Sequence, residues 1–184
     1  KFLSAYGLEP GSHRAYAMSS ADHERLARSW GRVGGMDRMA TLVKAIRAER
    51  GADRVLLLDG GDGLQGSYTA LESRGGDMVR ALDALGVEAT TGHWEFTYGA
   101  ERIVELFGTR EKPGASRMAF LAGNVSDNEF DEPVFHARRT FVKGGVKIAV
   151  IGQAFPYTPI ANPRWMIPRW SMGLREGEML RGVA

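Results

Sequence analysis

The sequence predicts a layered α/β fold with a mixed sheet, on three observations. Short apolar runs alternate with amphipathic helical stretches across residues 36–124. Two of those runs, Val55–Leu58 and Val87–Thr91, stop abruptly at glycines followed by a side chain able to ligate a metal. Later, two further apolar stretches flank Gly144-Gly145, the pattern of a hairpin.

Taken in order, residues 1–30 read as irregular, with one short helix around Asp22–Ser29. Gly34-Gly35 opens an amphipathic helix that turns Met36, Met39, Val43 and Ile46 inward, and Gly51 ends it. Val55–Leu58 is wholly apolar, as for a buried central strand. A glycine-rich turn leads to helix from Ser67 to about Leu85, with a break at Gly75-Gly76. Val87–Thr91 is the next strand. Gly99–Phe107 is a helix with Ile103, Val104 and Leu106 inward, and Met118–Asn124 is the third strand. Val134–Val142 and Val146–Gly152 form the hairpin. Beyond Phe155 come four prolines (Pro156, Pro159, Pro163, Pro168) and two tryptophans (Trp165, Trp170), a density that argues for a long ordered loop without regular helix or central strand. Leu174–Val183 reads as the start of another helix.

Composition narrows the function. The 184 residues fit one domain with room for a substantial core, and apolar (43%) and charged (25%) contents are those of a globular protein. The net charge of +2 is spread along the chain, with no Lys/Arg block that marks nucleic-acid binding. No run approaches the roughly eighteen apolar residues of a membrane span. Without cysteine there is no disulfide, thiolate metal site or thiol nucleophile, so any metal must be held by His, carboxylate, amide or water. Nothing sets the oligomeric state.

The chemistry lies in two segments about thirty residues apart, Val55-Leu-Leu-Leu-Asp-Gly-Gly-Asp-Gly-Leu-Gln-Gly66 and Thr91-Gly-His-Trp-Glu-Phe-Thr-Tyr-Gly99. In an open α/β sheet the ends of neighbouring strands meet at the ligand crevice, so Asp62 and His93 are expected to converge. A carboxylate between glycines suits a hard or borderline divalent ion; the alternative is an aspartate capping the next helix. Imidazole is the commonest nitrogen ligand, although a single His after a strand also serves structure. Glu95 either orients His93 or faces the start of a helix. Trp94 sits beside the expected metal or packs in the core. Asn124 reads as a turn residue that could line the same crevice, Gln153 could reach it, and His13, His23 and His136 read as surface or structural.

Leu58-Asp-Gly-Gly-Asp-Gly-Leu-Gln-Gly-Ser67 resembles the Gly-Asp segment of the 5′-nucleotidase branch of the calcineurin-like metallophosphoesterases. The second segment of that branch reads Gly-Asn-His-Glu-Phe-Asp. Here His93 stands at the metal-binding Asn, Trp94 at the usual catalytic His and Thr97 at the Asp. That pattern, with Gly76-Asp-Met-Val79, Gly145-Val-Lys-Ile-Ala-Val-Ile-Gly-Gln-Ala-Phe-Pro-Tyr-Thr-Pro-Ile-Ala-Asn-Pro163 and Trp170-Ser-Met-Gly-Leu-Arg-Glu176, resembles the SoxB thiosulfohydrolase subfamily over about residues 34–176.

The resemblance implies a four-layer α/β/β/α metallophosphoesterase-like sandwich, here incomplete, and two divalent metal ions, manganese in that family. It implies hydrolytic release of sulfate from a cysteine S-thiosulfonate on the SoxYZ carrier, in the periplasm. Asp62 would bridge the metals, His93 would ligate one, and Trp94 would narrow the substrate side; a catalytic acid is not assigned. Residues 1–184 are then expected to be a partial N-terminal domain, inactive alone. The first ligand strand (Asp-X-His), the later His motifs and the C-terminal domain are missing from it. The alternatives are a metal-dependent 5′-nucleotidase or phosphoesterase, and a degenerate domain that binds a partner without catalysis.

Overall fold

The computed structural model describes residues 1–31, 34–167 and 169–174. It forms two compact units, Lys1–Lys44 and Ala45–Ala184. Where one short helix was expected before residue 31, three form: α1 (Phe2–Ala5), α2 (His13–Met18) and α3 (His23–Trp30). Ser12 caps α2, its Oγ accepting the Ala15 N–H at 3.2 Å. The buried Tyr16 hydroxyl donates to Gly31 O at 2.5 Å, and Trp30 Nε1 donates to Gly11 O at 3.2 Å. These side-chain-to-backbone bonds order a stretch too short and too polar for periodicity to register.

The predicted helix α4 spans Met36–Arg50, beginning in the first unit and ending in the second. Gly51, at φ +88°, ends it and donates its N–H to Arg47 O at 3.0 Å. Its apolar stripe is less covered than expected. Val43 is buried, but Met39, Leu42 and Ile46 are 47, 61 and 39% exposed. Helical spacing decides which residues share a face; whether the face is covered depends on a neighbour.

In the second unit the run 55–58 pairs in parallel with β1 (Ala89–Thr90), Glu88 N donating to Leu57 O at 2.9 Å and Asp59 N to Ala89 O at 3.0 Å. Between them lie α5 (Tyr68–Ser73) and α6 (Gly76–Leu85), broken where expected, with Arg74 and Gly75 both left-handed. After β1 comes α7 (Ala100–Phe107), on which Ile103 and Leu106 are buried as expected while Val104 is half-buried. β2 (Ala119–Phe120) pairs in parallel with β1. The Val55–Leu58 run is not the buried central strand its composition predicts. Among the described residues only the β1 side pairs with it, and Leu58 is 46% exposed.

β3 (Val125–Asp127) follows β2, then the hairpin of β4 (Arg138–Lys143) and β5 (Val146–Ile151), whose turn has φ +55° at Gly144 and +82° at Gly145. Leu121 forms a parallel bridge to His136, and Ala122 N donates to His136 O at 3.0 Å, carrying the pairing from β2 towards the hairpin. The proline-rich stretch is not wholly irregular. It holds one helical turn, α8 (Thr158–Ala161), with Pro159 in its first turn, and β6 (Trp170–Met172), antiparallel to β3. The expected helix from Leu174 lies almost wholly outside the described residues. Phe107, Phe120, Phe135 and Trp170 form an aromatic core, with ring centroids 4.6, 4.8 and 5.3 Å apart in succession. No described helix is long and apolar enough to cross a membrane.

Candidate functional site

Because the 55–58 run and β1 are parallel, the loops that leave them emerge at the same end of the sheet. The first loop is bent by Asp59, whose Oδ2 accepts the Gly61 N–H at 3.0 Å and the Thr90 hydroxyl at 2.6 Å. Gly61, at φ +83°, lies against the second loop so closely that a Cβ there would be 2.8 Å from Thr91 O. Asp62 itself is left-handed (φ +64°), a conformation Asp tolerates better than most residues, and its side chain is 54% exposed.

The second loop places His93 opposite. Its Nδ1 lies 3.6 Å from Asp62 Oδ1, too long for a hydrogen bond. The same Nδ1 is buried and has no hydrogen-bond partner among the described residues, and the same holds for Thr91 Oγ1 nearby in sequence. A buried imidazole nitrogen left unpaired beside a carboxylate is costly without a further group between or beside them. The donor chemistry of this pair, one carboxylate and one imidazole, suits a divalent metal. Among the described residues no three His, Asp or Glu side chains converge as a metal site.

Glu95 does not act on the His93 ring. It is 2% exposed, and its carboxylate accepts the backbone N–H of His93 at 2.5 Å and that of Gly63 at 3.0 Å, so it fastens one loop to the other. Burial raises its pKa above the ordinary carboxylate value, against the pull of the backbone N–H groups bonded to it. Gln65 adds a bond from Nε2 to Trp94 O at 3.1 Å and another to Thr97 Oγ1, and Tyr98 donates its hydroxyl to Leu64 O at 2.9 Å.

The proline-rich segment supplies a wall that the sequence only hinted at. Phe155 stacks on the His93 ring, centroids 4.2 Å apart and planes 14° from parallel. Trp94, half-buried, lies 5.5 Å from His93 and 6.1 Å from Phe155 by ring centroids. Phe155 N donates to Gly92 O at 2.9 Å, and the fully buried Thr158 hydroxyl reaches His93 O at 3.0 Å. The signal for these contacts was the change of texture after Phe155; which residues would meet His93 was not readable.

The remaining sequence candidates form no side-chain hydrogen bond or ion pair with Asp62 or His93 among the described residues. Asn124 is buried with its amide saturated, accepting from Ala154 N at 2.7 Å and donating to Ala154 O at 2.8 Å and Gly173 O at 3.0 Å. Gln153 is half-buried and forms no side-chain hydrogen bond with another described residue. His13, His23 and His136 are exposed.

No family profile matches the chain. Its structure is similar to that of the sulfate thiohydrolase SoxB of Thermus thermophilus, solved in complex with glycerol, at 35% identity and a TM-score of 0.79, over 98% of this chain and 32% of that one. A 5′-nucleotidase precursor, also of Thermus thermophilus, shares the fold at 23% identity and a TM-score of 0.60, over 82% of this chain and 28% of its own. In sequence, the 5′-nucleotidase of Rattus norvegicus is 32% identical over 137 residues, 71% of this chain and 23% of that protein. The Bos taurus 5′-nucleotidase is 34% identical over 94 residues, 50% of this chain and 16% of that protein. The chain therefore spans at most about a third of the length of these relatives.

Proposed function

The chain is related to SoxB and the 5′-nucleotidases and shares their metallophosphoesterase fold, and from that premise we propose that it is part of a metal-dependent hydrolase that releases sulfate from a sulfur-bound sulfonate. The observation that carries this reading is the His93-Trp94 pair, with the unpaired His93 Nδ1 3.6 Å from Asp62. Asp62 and His93 would hold metal, with further ligands from outside the described residues. Two bound divalent ions, manganese in our reading, would supply a hydroxide nucleophile and offset charge on the sulfonate oxygens.

Two of the chain's own residues, Trp94 and Phe155, support this choice of substrate. Trp94 stands where the resemblance places the imidazole that assists phosphoryl transfer. An alkoxide leaving group benefits from such a donor. A sulfur leaving group does not need one, because thiols ionise near pH 8.5 whereas water and alcohols hold their protons to about pH 16. Hydrolysis forms a bond from water oxygen to the sulfonate sulfur and breaks its bond to the neighbouring sulfur. That sulfur leaves as an anion, and the protons of the water go to solvent. Trp94 and Phe155 would flank the approach with apolar surface, which suits a sulfur-bearing arm better than a hydrated sugar. The carrier in our reading is a SoxYZ-type protein and the compartment the periplasm.

The second reading is a 5′-nucleotidase, which the mammalian sequence relatives favour. The full-length protein, loaded with manganese, should release sulfate from a carrier-bound S-thiosulfonate and little phosphate from AMP. Asp62→Ala should abolish the sulfate release, and the double variant H93N/W94H should shift activity towards phosphate esters. Phosphate release without sulfate release by the unaltered protein would decide for the nucleotidase.

A further inference from the structure

A cavity of about 520 Å³ runs from the loop that enters β2 along β2 to the start of β4, and neither Asp62 nor His93 lines it. It is lined by the loop that enters β2, whereas the candidate site lies on loops that leave the 55–58 run and β1. Its lining residues include five cations, Arg110, Lys112, Arg117, Arg138 and Arg139, and one carboxylate, Glu111. The Arg139 guanidinium lies over the Phe141 ring, 5.5 Å from its centroid, on the same face of β4 and opposite to Arg138. All five cations are exposed, and none forms an ion pair with another described residue. In a chain whose net charge is only +2, this is a concentrated positive field. The end of α7 lies beside the loop, but a helix terminus offers only about half a negative charge against it.

The loop is built rather than loose. Thr109 N donates to Lys112 O at 2.8 Å, Arg110 N to Val134 O at 3.1 Å and Ser116 N to Leu106 O at 2.8 Å. Arg117 N and the Ser116 hydroxyl both donate to Asp83 Oδ1 at 3.1 Å, which engages that nearby carboxylate. The turn closes so tightly that a Cβ on Gly108 would sit 2.2 Å from Lys112 O, and one on Gly114 would sit 2.3 Å from Gly108 N. Fixed backbone beneath long cationic side chains lowers the ordering cost of binding. The adjoining cavity shares Thr109, Arg110, Glu111 and His136 with the first and adds two carboxylates, Asp127 and Glu132, without adding a cation, so an anion is favoured in the first cavity over the second.

We propose that the Arg110–Arg117 loop and the start of β4 form a second ligand site, which binds a small organic phosphate or sulfate through its oxyanion. Guanidinium groups match such oxyanions with paired N–H donors, and the cavity volume is that of a small-molecule site. The test is calorimetric titration of the full-length protein with inorganic phosphate, in EDTA so that no metal site contributes, with sodium sulfate as a parallel arm at a pH where both are dianions. Saturable binding is expected, weakened about tenfold or more in R110A/R117A and in R138E, and weakened by salt. Circular dichroism melts, unchanged for these exposed positions, show that the variants are folded. The tighter of the two ions identifies the phosphate or the sulfate class. Absence of saturable binding by either ion, or equal affinity in the variants, overturns the proposal.

Discussion

Replacing Glu95 by Gln probes the tie between the two site loops with almost no change of volume. In the native chain one buried carboxylate accepts two N–H groups, from His93 at 2.5 Å and Gly63 at 3.0 Å. A hydrogen bond to a neutral acceptor contributes about 0.5–1.5 kcal/mol net, and leaving its buried donor unsatisfied costs about 1–3 kcal/mol. The amide of Gln keeps one acceptor and turns an NH₂ towards the other donor, so one bond is lost and a buried N–H is left facing a donor. The expected loss is about 2–3 kcal/mol, or a melting temperature lower by about 4–12 °C for a chain of this size. Hydrogen exchange at the His93 or Gly63 amide should speed up by a similar free energy. The pH dependence has a defined sign. Burial raises the Glu95 pKa from 4.5, so the folded chain keeps this proton at a pH where the unfolded chain has lost it. Stability from this group is therefore complete below about pH 4.5 and declines as pH rises through the folded value. E95Q lacks that slope, so its penalty should be larger at pH 4 than at pH 7, the reverse of a salt-bridged carboxylate. Urea unfolding at the two pH values measures both quantities. A penalty under about 0.5 kcal/mol, with both amides as protected as before, would refute the role assigned to Glu95.

Two other perturbations test the rest of the frame. Phe155→Ala removes the half-buried ring stacked on His93; about 2 kcal/mol should be lost, roughly half the full-burial figure. The His93 ring protons should also move downfield in NMR spectra as the neighbouring ring current disappears; unmoved signals would exclude the stack. Gly61→Ala forces a Cβ to within 2.8 Å of Thr91 O at a φ of +83°, and should cost at least about 1–2 kcal/mol by denaturant unfolding, whereas Gly60→Ala, with open space, serves as the mild control.

The sequence was legible where local rules govern. Glycines after apolar runs marked the ends of the 55–58 run and β1, Gly75-Gly76 marked the break between α5 and α6, and Gly144-Gly145 marked the hairpin. Parallel pairing then brought Asp62 and His93 within 3.6 Å, as expected from the topology of strand ends. What was not legible depends on partners far along the chain. Thr158 bonds to a carbonyl 65 residues away, and Gly63 and Glu95 are 32 apart. For Glu95 the sequence leaves two partners open, the imidazole and the start of a helix; the carboxylate sits in the first turn of the 94–98 helical segment and accepts backbone N–H groups, which a motif of side chains does not display. The exposure of Leu58 has the same origin. An apolar run specifies what it would bury, and only a neighbour decides whether it does.

The geometry also separates what holds the site from what would act in it. Asp59, Gln65, Glu95, Tyr98 and Thr158 spend their polar atoms on backbone groups or on Thr90 and Thr97, and so fix the loops. Asp62 Oδ1 and His93 Nδ1 are left over, facing each other without a hydrogen bond. A structural role would be met by a hydrogen bond between them, which a separation of 3.6 Å does not provide. Phe155 stacks flat on the imidazole and Asp62 is left-handed, and Thr91 Oγ1 beside them is likewise buried without a partner among the described residues. An exposed carboxylate facing an imidazole nitrogen left without a partner has the donor chemistry that the proposed metal would use.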